Sequence, residues 1–75
     1  MEDLVKFMAR NLVEEPDAVR VSSRRIRDGM VIQLQVAPED TGRVIGKNGR
    51  VANAMRSVLQ AAALRRRQHV ILRIR

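Results

Sequence analysis

The sequence predicts an α+β domain whose elements run helix, strand, strand, helix, helix, strand. Three observations carry that prediction. Near the start, Leu4, Val5, Met8 and Leu12 fall on one face at helical spacing. In two later stretches the pattern has period two, with Ile32, Leu34 and Val36 on one face of the first and Val70, Leu72 and Ile74 on one face of the second. Between those stretches lies an alanine-rich segment of helical character, entered through two glycines separated by two residues, Gly46-Lys47-Asn48-Gly49.

The first helix is expected over residues 2–14, with Glu2 and Asp3 at its positive end and Pro16-Asp17 as its stop. From Ala18 to Arg27 the pattern becomes alternating, with Val19 and Val21 separated by Arg20. Asp28-Gly29 reads as the hairpin turn, in a primed conformation with positive φ at both central positions. The return strand is expected from Met30 to Val36, with Gln33 and Gln35 on its solvated face. Ala37-Pro38-Glu39-Asp40 opens a short helix, proline in its first turn and two acids near its dipole, ending at about Ile45. A long helix follows from Arg50 to about Leu64, and Arg65-Arg66-Arg67 stands at its negative end. The closing strand carries Val70 to Ile74, with no repeat, linker or low-complexity segment anywhere.

A chain of 75 residues is read as one domain, 1–75, forming a whole small protein. Domains of this size bury only about 60% of the surface their unfolded chains expose. Without cysteine, neither a disulfide nor a thiolate metal site can supplement the core, which leaves self-association. No stretch reaches the ~18 apolar residues of a membrane span, so a cytoplasmic protein without membrane contact is expected. No nucleophile–base pair, metal cluster or phosphate-binding Gly-Lys-Ser/Thr motif is present, so neither catalysis nor a cofactor is expected. His69 reads as an outward residue of the last strand rather than a ligand.

Charge narrows the partner. Residues 1–17 hold five acids against Lys6 and Arg10, whereas residues 18–75 hold thirteen basic residues against Asp28, Glu39 and Asp40. The segments therefore differ from −3 to +10, which points to a polyanion facing the later part of the chain. Phe7 is the only aromatic residue, so bases cannot stack on an aromatic platform. Any RNA must be held by backbone, charge and aliphatic surface.

The segment that offers this is Gly46-Lys47-Asn48-Gly49. Its glycines permit close approach of another backbone, and the helix beginning at Arg50 aims its free N–H groups at the same place. Lys47 and Arg50 add positive charge, Arg43 is one turn away, and Val44 and Ile45 offer an apolar floor for unstacked bases. Two glycines at this spacing also occur in plain turns, so the loop alone is a weak motif.

Its context is more specific. Gly42-Arg43-Val44-Ile45-Gly46-Lys47-Asn48-Gly49-Arg50 resembles the signature loop of KH domains, and the order of elements matches the type II KH fold. Over nearly its full length the chain is similar to the small bacterial single-KH-domain RNA-binding proteins, the KhpA-like family. That resemblance implies a three-stranded mixed sheet with helices on one face, and a groove for about four nucleotides of single-stranded RNA. It implies RNA-binding roles for Arg43, Val44, Ile45, Gly46, Lys47, Asn48, Gly49 and Arg50. It also implies an RNA chaperone or post-transcriptional regulator acting as a homodimer, or as a heterodimer with a larger KH-domain protein. The alternatives are an adaptor for such a partner and a binder of single-stranded DNA. The chain departs from the family pattern at Ala52, where many KH domains have isoleucine.

Projected at 100° per residue, the long helix places Asn53, Arg56, Ser57 and Gln60 on one side. Apolar residues fill most of the rest, about twice the stripe needed to pack on one sheet. Either alanine is simply tolerated on the surface, or Ala54, Val58 and Ala61 meet a second molecule. Two arginine groups remain, Arg24, Arg25 and Arg27 near the hairpin and Arg65 to Arg67 after the helix. Each either contacts phosphate or stands solvated.

Overall fold

A computed structural model describes residues 1–75. Helix α1 spans Glu2–Leu12, strands β1 and β2 span Arg20–Ile26 and Gly29–Gln35, helices α2 and α3 span Thr41–Ile45 and Arg50–Arg65, and β3 spans His69–Ile74. Single turns of 3-10 helix at Pro16–Ala18, Pro38–Asp40 and Lys47–Gly49 link them. The sheet order is β1-β2-β3, antiparallel between β1 and β2 and parallel between β2 and β3. The expected α+β class, element order and mixed sheet are all present.

Alternation decides which face is covered. Ile32 and Leu34 of β2 and Val70 and Leu72 of β3 point to one side, where Val5 and Ala9 of α1, Val44 of α2 and Met55, Leu59 and Ala63 of α3 pack on them. The other face has no helix and carries Arg20, Ser22, Arg24, Gln33, Gln35 and Arg73, staggered as the strand register requires. Ala52 is buried at 3% exposure, so the departure from the family pattern is filled on the core side of α3.

Three local expectations are corrected. Helix α1 ends at Leu12 rather than residue 14, and Leu12 is left partly exposed while Ala9 is fully buried. The cause is Asp40. Its buried carboxylate accepts the backbone N–H groups of Glu14 at 3.2 Å and Glu15 at 3.1 Å, drawing those amides out of the helical ladder and tying α1 to the entrance of α2. Asp40 is thus a structural anchor and not only a partner for a helix dipole.

The hairpin turn lies one residue earlier than expected, at Arg27-Asp28, because Ile26 pairs with Gly29. Neither Asp28 nor Gly29 has positive φ, so no primed turn forms. Gly29 is required for another reason: a Cβ there would lie 1.8 Å from the His69 carbonyl oxygen, as β3 begins directly alongside. The His69 N–H in turn donates to the Asp28 carbonyl at 3.0 Å.

Helix α3 ends in a Schellman arrangement. The Gln68 N–H donates to the Ala63 carbonyl at 3.0 Å and the Arg67 N–H to the Leu64 carbonyl at 3.1 Å. This turn needs a left-handed residue, usually glycine, and Arg67 occupies it at φ 53°. A side chain there crowds the following carbonyl and costs on the order of 1–2 kcal/mol.

Two stability predictions result. Arg67→Gly should stabilise the domain by about 1 kcal/mol, raising its Tm by roughly 4–8 °C in calorimetry. Asp40→Ala leaves two partly buried amides without their charged acceptor and should cost about 2–3 kcal/mol in urea unfolding. A chain of this length has a total stability of about 4–11 kcal/mol, so that loss should be plain in the denaturation midpoint.

Candidate nucleic-acid interface

The chain between α2 and α3 cannot be built from ordinary residues. Gly46 has φ 76° and ψ 172°, Asn48 φ 57° and ψ 26°, and Gly49 φ 77° and ψ 14°. Side chains other than glycine are excluded from the first of these regions, and asparagine is among the few that accept the second. The two glycines serve differently. A Cβ on Gly46 would meet the Val51 side chain at 2.5 Å and its backbone nitrogen at 2.8 Å, whereas one on Gly49 would meet nothing nearer than Asn53 Nδ2 at 3.8 Å. Gly46 packs the loop onto α3, and Gly49 supplies only the left-handed start of the helix.

This conformation leaves α3 without a side-chain cap at Gly49. The N–H groups of Gly49 and Arg50 close the preceding 3-10 turn on the Gly46 and Lys47 carbonyls, and the helix that follows has no side-chain partner for its first N–H groups, beside the exposed Lys47 and Asn48. Lys47 and Arg50 take part in none of the ion pairs of the domain. An uncapped helix end flanked by unpaired cations favours an anion.

The other expected site residues divide. Ile45 is 38% exposed beside Gly46 and can meet a base, but Val44 is fully buried in the core and has no surface to offer. The expected Val44-Ile45 floor is therefore corrected to Ile45 alone; helical geometry turns adjacent residues about 100° apart. Arg43 is also corrected. Its guanidinium is held by Glu14 Oε1 at 2.8 Å and Asp40 Oδ1 at 3.4 Å, so its charge is directed to the end of α1 rather than to the loop.

Two groove residues escaped the sequence reading. Arg56 Nη2 donates to the Leu72 carbonyl at 3.3 Å and Gln60 Nε2 to the Val70 carbonyl at 3.0 Å. They bridge α3 to the open edge of β3 and wall a groove of about 160 Å³ floored by Leu59, Val70 and Leu72. Gly49, Asn53, Arg56 and Gln60 follow one another at helical spacing, so the polar side of α3 leads directly from the loop into this groove. The signal was present as that polar stripe, but only the position of β3 shows what it faces.

The opposite flank of α3 is uncovered. Ala54, Val58 and Ala61 are all exposed, Val58 at 46%, and Leu64 beyond them at 79%. The wide apolar stripe thus divides into a buried row, Ala52, Met55, Leu59 and Ala63, and an exposed row.

Comparison with known proteins accords with this geometry. The family described as KhpA/KhpB, KH domain, matches residues 2–74. "RNA-binding protein KhpA" of Caldanaerobacter subterraneus is 49% identical over 74 residues, covering 99% of both chains. The protein of the same name from Halalkalibacterium halodurans is 47% identical, covering 99% of this chain and 97% of that one. Among solved structures, Era in complex with MgGDPNP and nucleotides 1506–1542 of 16S ribosomal RNA superposes with a TM-score of 0.65 at 21% identity, over 97% of this chain and 28% of that one. That likeness concerns the fold. With a family model matched over residues 2–74 and full-length relatives in agreement, the chain belongs to the KhpA/KhpB family of KH domains.

Proposed function

We propose that residues 1–75 act as a single non-catalytic domain that binds single-stranded RNA through Gly46-Lys47-Asn48-Gly49. The observation that carries this reading is the uncapped start of α3, held open by positive φ at Gly46, Asn48 and Gly49 and flanked by the unpaired Lys47 and Arg50. Phosphates bind to the loop backbone and these cations, and bases pass over Ile45 into the groove beside Arg56 and Gln60. The full-length relatives named as RNA-binding proteins support it. With no aromatic platform, the affinity is modest and the base preference loose, as suits an RNA chaperone or post-transcriptional regulator.

The exposed row Ala54, Val58, Ala61 and Leu64 favours a second property, pairing through α3. A second copy of the chain offers the same self-complementary row. A larger KH-domain protein is the other partner of this kind, and the family description, which joins KhpA with KhpB, supports it.

Lys47→Asp with Asn48→Asp should abolish RNA binding while circular dichroism and Tm stay close to those of the unaltered protein. Normal binding by that variant would refute the clamp. With about three to five phosphate contacts, the slope of log K against log salt should lie between about −2 and −3.5. Matched DNA oligomers in the same titration decide whether the sugar is read. Val58→Glu should convert a dimer at micromolar concentration into a monomer by light scattering, and a monomeric unaltered protein would exclude homodimer pairing at that concentration.

A further inference from the structure

Four arginines of the two groups that the sequence left without a role, Arg25 and Arg27 with Arg66 and Arg67, meet in space, while Arg24 and Arg65 lie outside. Because β3 runs parallel to β2 with His69 beside Gly29, the β1–β2 turn and the α3–β3 turn lie at the same end of the sheet. Between them is an open cleft of about 550 Å³ whose lining includes Arg25, Arg27, Arg66, Arg67, Gln68 and His69. Asp28 is the only carboxylate along it, and none of the four arginines forms an ion pair. We propose that this cleft is a second phosphate-binding site, which holds the backbone of an RNA strand whose other part lies on the glycine loop.

Three features favour that occupant. Four guanidinium groups converging on one cleft repel each other unless an anion enters, and the planar fork of arginine suits phosphate oxygens. Arg67 stands at a left-handed position where glycine would be less strained, so its charged side chain is placed there against the preference of the backbone. The third is distance. Helix α3 has sixteen residues, so its glycine-loop end and its arginine end are about 24 Å apart. At the roughly 3.4 Å per nucleotide of a stacked strand, about seven nucleotides bridge the two sites, and an unstacked strand needs fewer. A short oligomer fills only the loop; a longer one reaches both.

This inference rests on RNA binding at the loop, and its test separates the two. The full chain is titrated with single-stranded oligouridylates of about 5 and about 16 nucleotides. The variant Arg25→Gln/Arg27→Gln/Arg66→Gln/Arg67→Gly keeps the backbone of the helix end and is checked for folding by its thermal melt. It should bind the short oligomer within about twofold of the unaltered protein and the long one about tenfold or more weakly, with a salt slope smaller by up to about 2.8 if all four contacts are lost. The single variant Arg67→Gly should show the dissociation most clearly, gaining stability while losing affinity for the long oligomer alone. The Lys47→Asp/Asn48→Asp protein should lose the short oligomer and retain weak, salt-sensitive binding of the long one. Unchanged binding of the long oligomer by the quadruple variant would overturn the proposal and assign the cleft to another partner, such as an acidic protein segment. Equal loss on both oligomers would also overturn it, since diffuse charge rather than a second site would then be at work. Failure of the unaltered protein to bind either oligomer would overturn the loop reading and this one together.

Discussion

The reversal of the chain between Gly46 and Gly49 fixes how α2 passes into α3, and with it which groups stand exposed at that end of the domain. Three of its four residues lie at positive φ, and Gly46 also packs against Val51 where no side chain fits. The strain and the glycine requirement have one result: α3 is entered through a 3-10 turn and starts without a side-chain cap, beside the exposed Lys47, Asn48 and Arg50. A capped and buried start would satisfy the helix and leave nothing for a phosphate. Asp40 supports the same arrangement from behind, since its buried carboxylate ties residues 14 and 15 to the entrance of α2 and draws Arg43 away from the loop. Two carboxylates thus pair with Arg43, while Lys47 and Arg50 form no ion pair within the domain.

Helix α3 joins the parts of the molecule. One row of its residues closes the core over Leu34 and Leu72, a second reaches the edge carbonyls of β3 through Arg56 and Gln60, and a third stays bare. The side chains of Arg56 and Gln60 also occupy two acceptors of an edge strand, which discourages another strand from adding there. The edge is kept available as a groove wall without becoming a site of sheet growth.

Parallel pairing of β2 with β3 has a consequence for charge as well as for topology. It brings turns separated by about forty residues to one end of the sheet and gathers Arg25, Arg27, Arg66 and Arg67 there. The loop and the arginine cleft then lie at opposite ends of α3. Segregation of acidic residues to the first helix and basic ones to the remainder is thus resolved into an anchor, a loop and a cleft.

By itself, the sequence determined the order of elements, the core faces of the strands and the position of the loop, because each follows from local periodicity or from two glycines separated by two residues. It also located the surplus apolar surface of α3. Tertiary structure decided what those local signals face. Val44 and Ile45 are equivalent apolar neighbours in the sequence, yet one is core and the other surface, since only packing fixes the rotation of a five-residue helix. Gly29 belongs to a strand and not to a turn because a distant carbonyl, His69, approaches it. Asp40, Arg56 and Gln60 took their roles from partners between 10 and 26 residues away, distances across which no spacing rule operates.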